Sequence, residues 1–146
     1  MAHRLKRDFP QLTIVLNGGL TTEAQMAEHL VHVDGVMIGR HAYHEPWAMA
    51  SWDAQFLGAP ERHSTREMVE DRMLAYLESL ASSGVPWGHA SRHMLGLRNG
   101  QPGARRWRQV WSDPRHKPGP PAAAQRLARE AQRAAETPHL YSDTAI

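Results

Sequence analysis

Two short stretches carry residues suited to holding a phosphate: Asn17-Gly18-Gly19 and Gly39-Arg40. Glycine lets the backbone approach a ligand closely and present its N–H groups. Arginine offers a planar, permanently charged fork that matches phosphate oxygens. Taken singly, Asn-Gly-Gly reads as a turn and Gly-Arg carries no signal. Both stretches, however, stand directly behind short apolar runs, and that recurrence points to a phosphate gripped from two sides. A second group of chemically apt residues lies further on. Arg92, Arg98, Arg105, Arg106 and Arg108 gather around the turn Asn99–Gly103, with Arg115 and Lys117 just beyond. Arginines in this density suit a folded RNA read through its backbone and shape.

Other chemistries are poorly supported. The chain has 10 His and no Cys. His29 and His32, and His41 and His44, are three apart, but no thiolate and no clear carboxylate partner completes a metal site. Without cysteine there is no disulfide and no thiol nucleophile. Ser64 reads as a helix N-cap, so no nucleophile–base pair stands out. No catalytic residue and no metal is expected in this chain.

The elements that must position these residues follow from the apolar pattern. Thr13–Leu16 is a short, β-branched run closed by the glycine pair, as expected of a buried parallel strand. Thr22 is set to cap a helix, with Gln25 completing a capping box and Ala27, Leu30 and Val31 facing inward. Gly35–Gly39 reads as a second strand, and Pro46 opens a further helix through about Phe56. Strand, helix, strand, helix is a βαβα unit, with parallel strands and a right-handed crossover. Ligands of such folds sit at the C-terminal ends of the strands, where both glycine stretches fall. A helix start behind Gly19 would add its dipole.

Residues 58–63 read as a linker. Ser64-Thr65-Arg66-Glu67 then starts a long helix with Val69, Met73, Tyr76, Leu77 and Leu80 as its inner face, ending at Gly84 and Pro86. A second helix is expected over about 88–97 and a third over 104–112. Trp107, Val110 and Trp111 share one face of the third, so the tryptophans belong to a core, and most of the arginines lie off that face. Residues 113–121 read as an irregular, proline-rich linker. Residues 122–136 read as a weakly anchored helix or frayed tail, because Leu127 is their one large apolar residue, and 137–146 as its continuation. The expected organisation is therefore α/β over 1–57 and a small helical bundle over 64–121, with 122–146 weakly ordered.

Charge is divided unevenly. Residues 1–91 hold seven Lys/Arg against eleven Asp/Glu, and residues 92–146 hold ten against four. A basic end on an acidic remainder suits a polyanion partner. No apolar run approaches the ~18 residues of a membrane helix. Residues 1–10 lack the apolar centre of a signal peptide, so a cytoplasmic location is the default.

The stretches LKRDFPQLTIVLNGGL, DGVMIGRHAYHEPW, WGHASRHMLGLRNGQPGARRWR and HKPG together resemble the C-terminal part of flavin-dependent tRNA-dihydrouridine synthases, most closely the A-type subfamily. The resemblance runs from about Leu5 to Gly119 and gives out near residue 122. It implies the last two βα units of an FMN-carrying (β/α)₈ barrel, followed by a helical domain that helps to hold tRNA. It implies NADPH as the reductant of the flavin, a D-loop uridine flipped into the barrel mouth, and Asn17, Gly18, Gly19, Gly39 and Arg40 as holders of the FMN phosphate. It implies tRNA contact for some of Arg92, Arg98, Arg105, Arg106 and Arg108. It also implies that six strands and the protonating cysteine lie outside this chain, which alone would be inactive. The family usually has Glu where His41 stands and Asn where Glu45 stands. Two other readings stay open from the residues themselves: a non-enzymatic RNA-binding module, and part of another phosphate-binding barrel acting on a small phosphorylated metabolite.

Overall fold

In a computed structural model, residues 1–136 are described. They fall into two compact units, Met1–Arg62 and His63 onward. The division falls within the expected linker, whose first residue, Gly58, closes a helix in the left-handed region at φ +65°.

The first unit opens with α1 (Ala2–Asp8), which the apolar pattern does not announce because no residue of it is buried. Then come β1 (Val15–Asn17), α2 (Glu23–Leu30), β2 (Gly35–Met37) and α3 (Arg40–His44). A 3₁₀ turn over Pro46–Ser51 leads into α4 (Trp52–Leu57), with Pro46 at its start as expected. The two strands are parallel and in register, Val15 opposite Gly35 and Asn17 opposite Met37. They are shorter than the apolar runs that announced them, and α3 occupies residues read as loop.

The capping box of α2 forms as read. Thr22 accepts from the Gln25 amide at 3.2 Å, and Gln25 Oε1 accepts from the Thr22 amide. The inner face is different. Met26 is buried and Leu30 half-buried, whereas Ala27 and Val31 face outward. The stripe is turned by about one residue so that Met26 shares the small core with Leu20 and Val33. At the foot of the sheet, Lys6 Nζ reaches Asp34 Oδ2 at 2.9 Å and the carbonyls of Pro10 and Leu12. Asp34 also accepts from the Ile14 amide at 2.8 Å. That bond, and then Lys6, hold its carboxyl below the usual carboxylate range.

The second unit is helical: α5 (Arg66–Ser82), α6 (Gly88–Ser91), α7 (Ala104–Ser112) and α8 (Pro121–Glu136), with 3₁₀ turns at Arg92–Met94 and Pro114–His116. The helix expected over 88–97 is thus one α-helical turn followed by tighter turns. The cap of α5 is Thr65, whose side chain accepts from the Met68 amide, and Ser64 lies one residue outside it.

The inner face of α5 is also displaced. Val69 and Tyr76 are exposed, while Leu77 and, unexpectedly, Glu70 have no exposed surface. The stripes 69-73-76-80 and 70-73-77-80 both fit a 3.6-residue period, and what faces Glu70 selects the second. Its Oε1 accepts from the indole N–H groups of Trp107 at 2.9 Å and Trp111 at 3.3 Å. Its Oε2 accepts from Arg98 at 2.7 Å and Arg129 at 3.0 Å. Four donors surround a carboxylate with two oxygens, so the buried charge is paired and satisfied. The tryptophans form the core, as their spacing indicates, and Glu70 is its polar centre.

Residues 113–121 and α8 are fastened more firmly than their composition suggests. Lys117 Nζ donates to Ser91 Oγ and to the Trp111 carbonyl and lies 4.5 Å from the Trp87 ring centre. Trp87 in turn donates to the Gly119 carbonyl at 3.0 Å. In α8, Leu127 is exposed; Ala124, Gln125, Ala128 and Gln132 are buried instead. Small residues bring α8 close to α7. A Cβ on Gly103, at φ +69°, would meet the Gln132 carbonyl oxygen. Arg129 then bridges Glu70 and Asp71. The weak anchoring expected of 122–136 is therefore corrected, because small and polar contacts replace the missing large apolar ones. Residues 137–146, read as tail, lie outside the described residues.

Candidate functional site

The parallel register brings the two glycine stretches together. Asn17 and Met37 stand opposite each other, so Gly18-Gly19 and Ile38-Gly39-Arg40 leave the sheet at the same level on strands about 4.8 Å apart. Between them opens a cavity of about 620 Å³, lined by Asn17, Gly18, Gly19, Gly39 and Arg40 among others. All five phosphate residues expected from the sequence meet there. Ser51 Oγ donates to Glu23 Oε1 at 2.7 Å, which ties the turn after α3 to the start of α2.

The backbone of the first loop is in a form that glycine permits. Gly18 has φ +154° and Gly19 φ +62°, and nothing lies within 4 Å of where either Cβ would stand. The loop is therefore an open cradle with its backbone bare to the cavity. The first turn of α2 contributes less than its position implies. Its capping box already engages the amides of Thr21, Thr22 and Gln25. Charge complementarity rests mainly on Arg40, which is exposed at the cavity wall. His41 and His44, to which no function is assigned from the sequence, line the same cavity.

The basic residues of the second unit separate into two kinds. Arg105, Arg106 and Arg108 are exposed on α7, and Trp107 and Trp111 occupy its buried side. Arg92 is exposed, with Nε donating to the His89 carbonyl. Arg98 does not belong with them. It is only 5% exposed and is committed to Glu67 and Glu70 at 2.7 Å each. The position of Glu70 on the apolar face of α5 was the signal that an inward arginine would be needed. Lys117 is likewise turned inward, where burial lowers its pKa. Among the described residues no group of three or more His, Cys, Asp or Glu is placed to hold a metal, and no helix is long and apolar enough to cross a membrane.

The family model for dihydrouridine synthase (Dus) matches residues 2–136. The chain belongs to the dihydrouridine synthase family. It is 47% identical over 118 residues to a tRNA-dihydrouridine(20/20a) synthase of Vibrio cholerae, and 45% identical over 118 to that of Vibrio vulnificus. It is 46% identical over 121 residues to that of Salmonella typhi. These alignments cover 81–83% of the chain and 36% of each relative, so the chain spans about a third of the length of the synthases it matches. The family match extends to residue 136, past the point near 122 where the resemblance of the quoted stretches gives out, and takes in α8.

Proposed function

We propose that this chain is the C-terminal part of a tRNA-dihydrouridine synthase of the A-type subfamily, in which FMN and NADPH reduce D-loop uridines of tRNA. The observation that carries the reading is the shared cavity between two in-register βα loops, in a chain of a flavin-dependent family. The strand pair corresponds to the last two βα units of a (β/α)₈ barrel, whose C-terminal loops hold phosphates. The open glycine cradle and Arg40 fit the terminal phosphate of FMN; the flavin would supply the hydride chemistry when bound. This chain's residues do three things in that reading. Gly18 and Gly19 offer backbone N–H groups to phosphate oxygens. Arg40 neutralises their charge. Arg92, Arg105, Arg106 and Arg108 present positive charge to tRNA phosphates, with Arg98 holding the unit together from inside. The chain carries no cysteine, so proton donation to the uracil belongs to another part of the synthase.

The test is a graft. Residues 1–136 replace the matching third of the Vibrio cholerae enzyme, and dihydrouridine is measured in tRNA. The expected result is an active chimera that loses FMN at least tenfold more readily when Arg40→Ala is introduced. A folded, active chimera whose FMN affinity ignores Arg40 would refute the phosphate assignment.

A further inference from the structure

The four carboxylates of α5, Glu67, Glu70, Asp71 and Glu78, fall within about 100° of its circumference. The arc facing away from them spans about 140° and carries no carboxylate. Its large side chains are Met68, Val69, Arg72, Met73, Tyr76 and Leu80. Because Glu70 turns the helix by one residue toward the tryptophans, much of this second apolar stripe is left outside. Met68 is 46% exposed, Val69 38% and Tyr76 52%. Arg72 between them is exposed, and Met73 and Leu80 are half-buried. Scattered exposed apolar residues are ordinary on a protein surface, but a contiguous patch of them marks a contact site. Met, Tyr and Arg without Asp or Glu is the make-up of the centre of a protein interface.

We propose that this arc of α5 seats the helical unit on the part of the synthase that lies outside this chain, against an apolar surface with a carboxylate opposite Arg72. This rests on the reading of the chain as one part of a synthase. The chain spans about a third of the length of the relatives it matches, so most of such an enzyme is polypeptide tethered to this unit. Size decides between occupants. Residues 68–80 cover about 18 Å of helix, and a strip about 10 Å wide along them offers on the order of 200 Å². Partners that meet as free molecules bury about 800 Å² each. The arc is therefore too small to hold a second copy or an unlinked protein. A tethered body needs no such area, because the linker supplies an effective concentration in the millimolar range. RNA is served poorly by one cation among apolar side chains, whereas α7 presents Arg105, Arg106 and Arg108 together.

The chain has no cysteine, so a single introduced thiol reports on its own position. Val69→Cys, Tyr76→Cys and Met68→Cys are made one at a time, with Glu78→Cys on the acidic side of the same helix as reference. Each is made in the full chain and in the grafted Vibrio cholerae synthase, and maleimide labelling is timed by peptide mass mapping. In the full chain all four thiols should react at similar rates. In the active graft, positions 68, 69 and 76 should react at least tenfold more slowly, and position 78 as before. Three separate positions keep the test decisive if one substitution itself prevents folding. Equal rates at all four positions in an active graft would overturn the docking face and leave the synthase reading standing. Protection already present in the full chain would overturn it too: if it grows with concentration the occupant is a second copy, and if it does not the cover lies within this chain. Protection that appears only when tRNA is added would make the arc an RNA surface instead. A graft that folds with every introduced cysteine exposed and makes no dihydrouridine would remove both the docking face and the reading it rests on.

Discussion

Replacing Glu70 by Gln should destabilise the helical unit far more than so small a change suggests. The four groups around the carboxylate are all donors: the indoles of Trp107 and Trp111 on one oxygen, Arg98 and Arg129 on the other. An amide has only one acceptor oxygen. If that oxygen faces the arginines, the NH₂ group meets two buried indole N–H groups. If it faces the indoles, the NH₂ meets two guanidinium groups. Either way two bonds are lost, donor faces donor, and two arginines lose their counter-charge. Removing one member of a buried ion pair costs about 3–5 kcal/mol, against roughly 5–15 kcal/mol for a whole domain. With a urea slope of about 1–3 kcal/mol/M, the midpoint should fall by about 2 M. Urea titrations followed by tryptophan fluorescence and by far-UV circular dichroism would measure it, and coincident curves would support a two-state analysis. Glu67→Gln is the control. Its side chain is 56% exposed and holds a single partner, Arg98, so about 1 kcal/mol or less is expected. A Glu70→Gln loss below about 1 kcal/mol, or one equal to that of Glu67→Gln, would refute the view that this carboxylate organises the unit.

Three further outcomes follow from the same geometry. Gly103→Ala combines a left-handed backbone with a Cβ that would collide with the Gln132 carbonyl oxygen; thermal unfolding should show a loss of at least about 2 kcal/mol, and an unchanged Tm would mean that α8 does not rest there. Asp113 accepts from the Arg115 side chain and amide, which lower its pKa to about 2. A depressed carboxylate pKa gives stability above the unfolded value near 3.8, lost as pH falls through about 2, so NMR titration should find Asp113 ionised at pH 3, and Asp113→Asn should flatten the acid limb of the stability curve over that interval. In the grafted synthase, Arg105→Glu with Arg106→Glu should weaken tRNA binding and shallow its salt dependence; filter binding that shows neither would remove α7 from the tRNA surface.

The sequence revealed the candidate site more fully than it revealed the helical unit. Gly18, Gly19, Gly39 and Arg40 were legible because strand ends and glycines are local signals, and a parallel register then brings them to one level. The inner faces of α2 and α5 were displaced by a residue, because overlapping apolar stripes fit one period equally well. The choice between them depends on partners that are distant in sequence. Glu70 was hidden by being charged, and the firm seating of α8 by being built from alanine, glycine and glutamine where large apolar residues were sought. Arg98 looked like a surface cation for the same reason: only the carboxylate 28 positions earlier shows that it belongs inside. The strands came out shorter than the apolar runs, and α1 and α3 carry no buried residue that would announce them.

The pairing of Asn17 with Met37 also limits how this chain can change length. One residue inserted or deleted between the strands would force a choice. Either β2 slides by one position and turns its side chains to the opposite face, or α2 absorbs the change and rotates Met26 away from its neighbours by about 100°. In the first case Gly39-Arg40 and Gly18-Gly19 no longer open onto the same space; in the second the register survives but Met26 leaves the small core it shares with Leu20 and Val33. Insertions and deletions among related chains should therefore avoid residues 18–36 and collect instead at 58–63, where the backbone between the two units sets no such alignment.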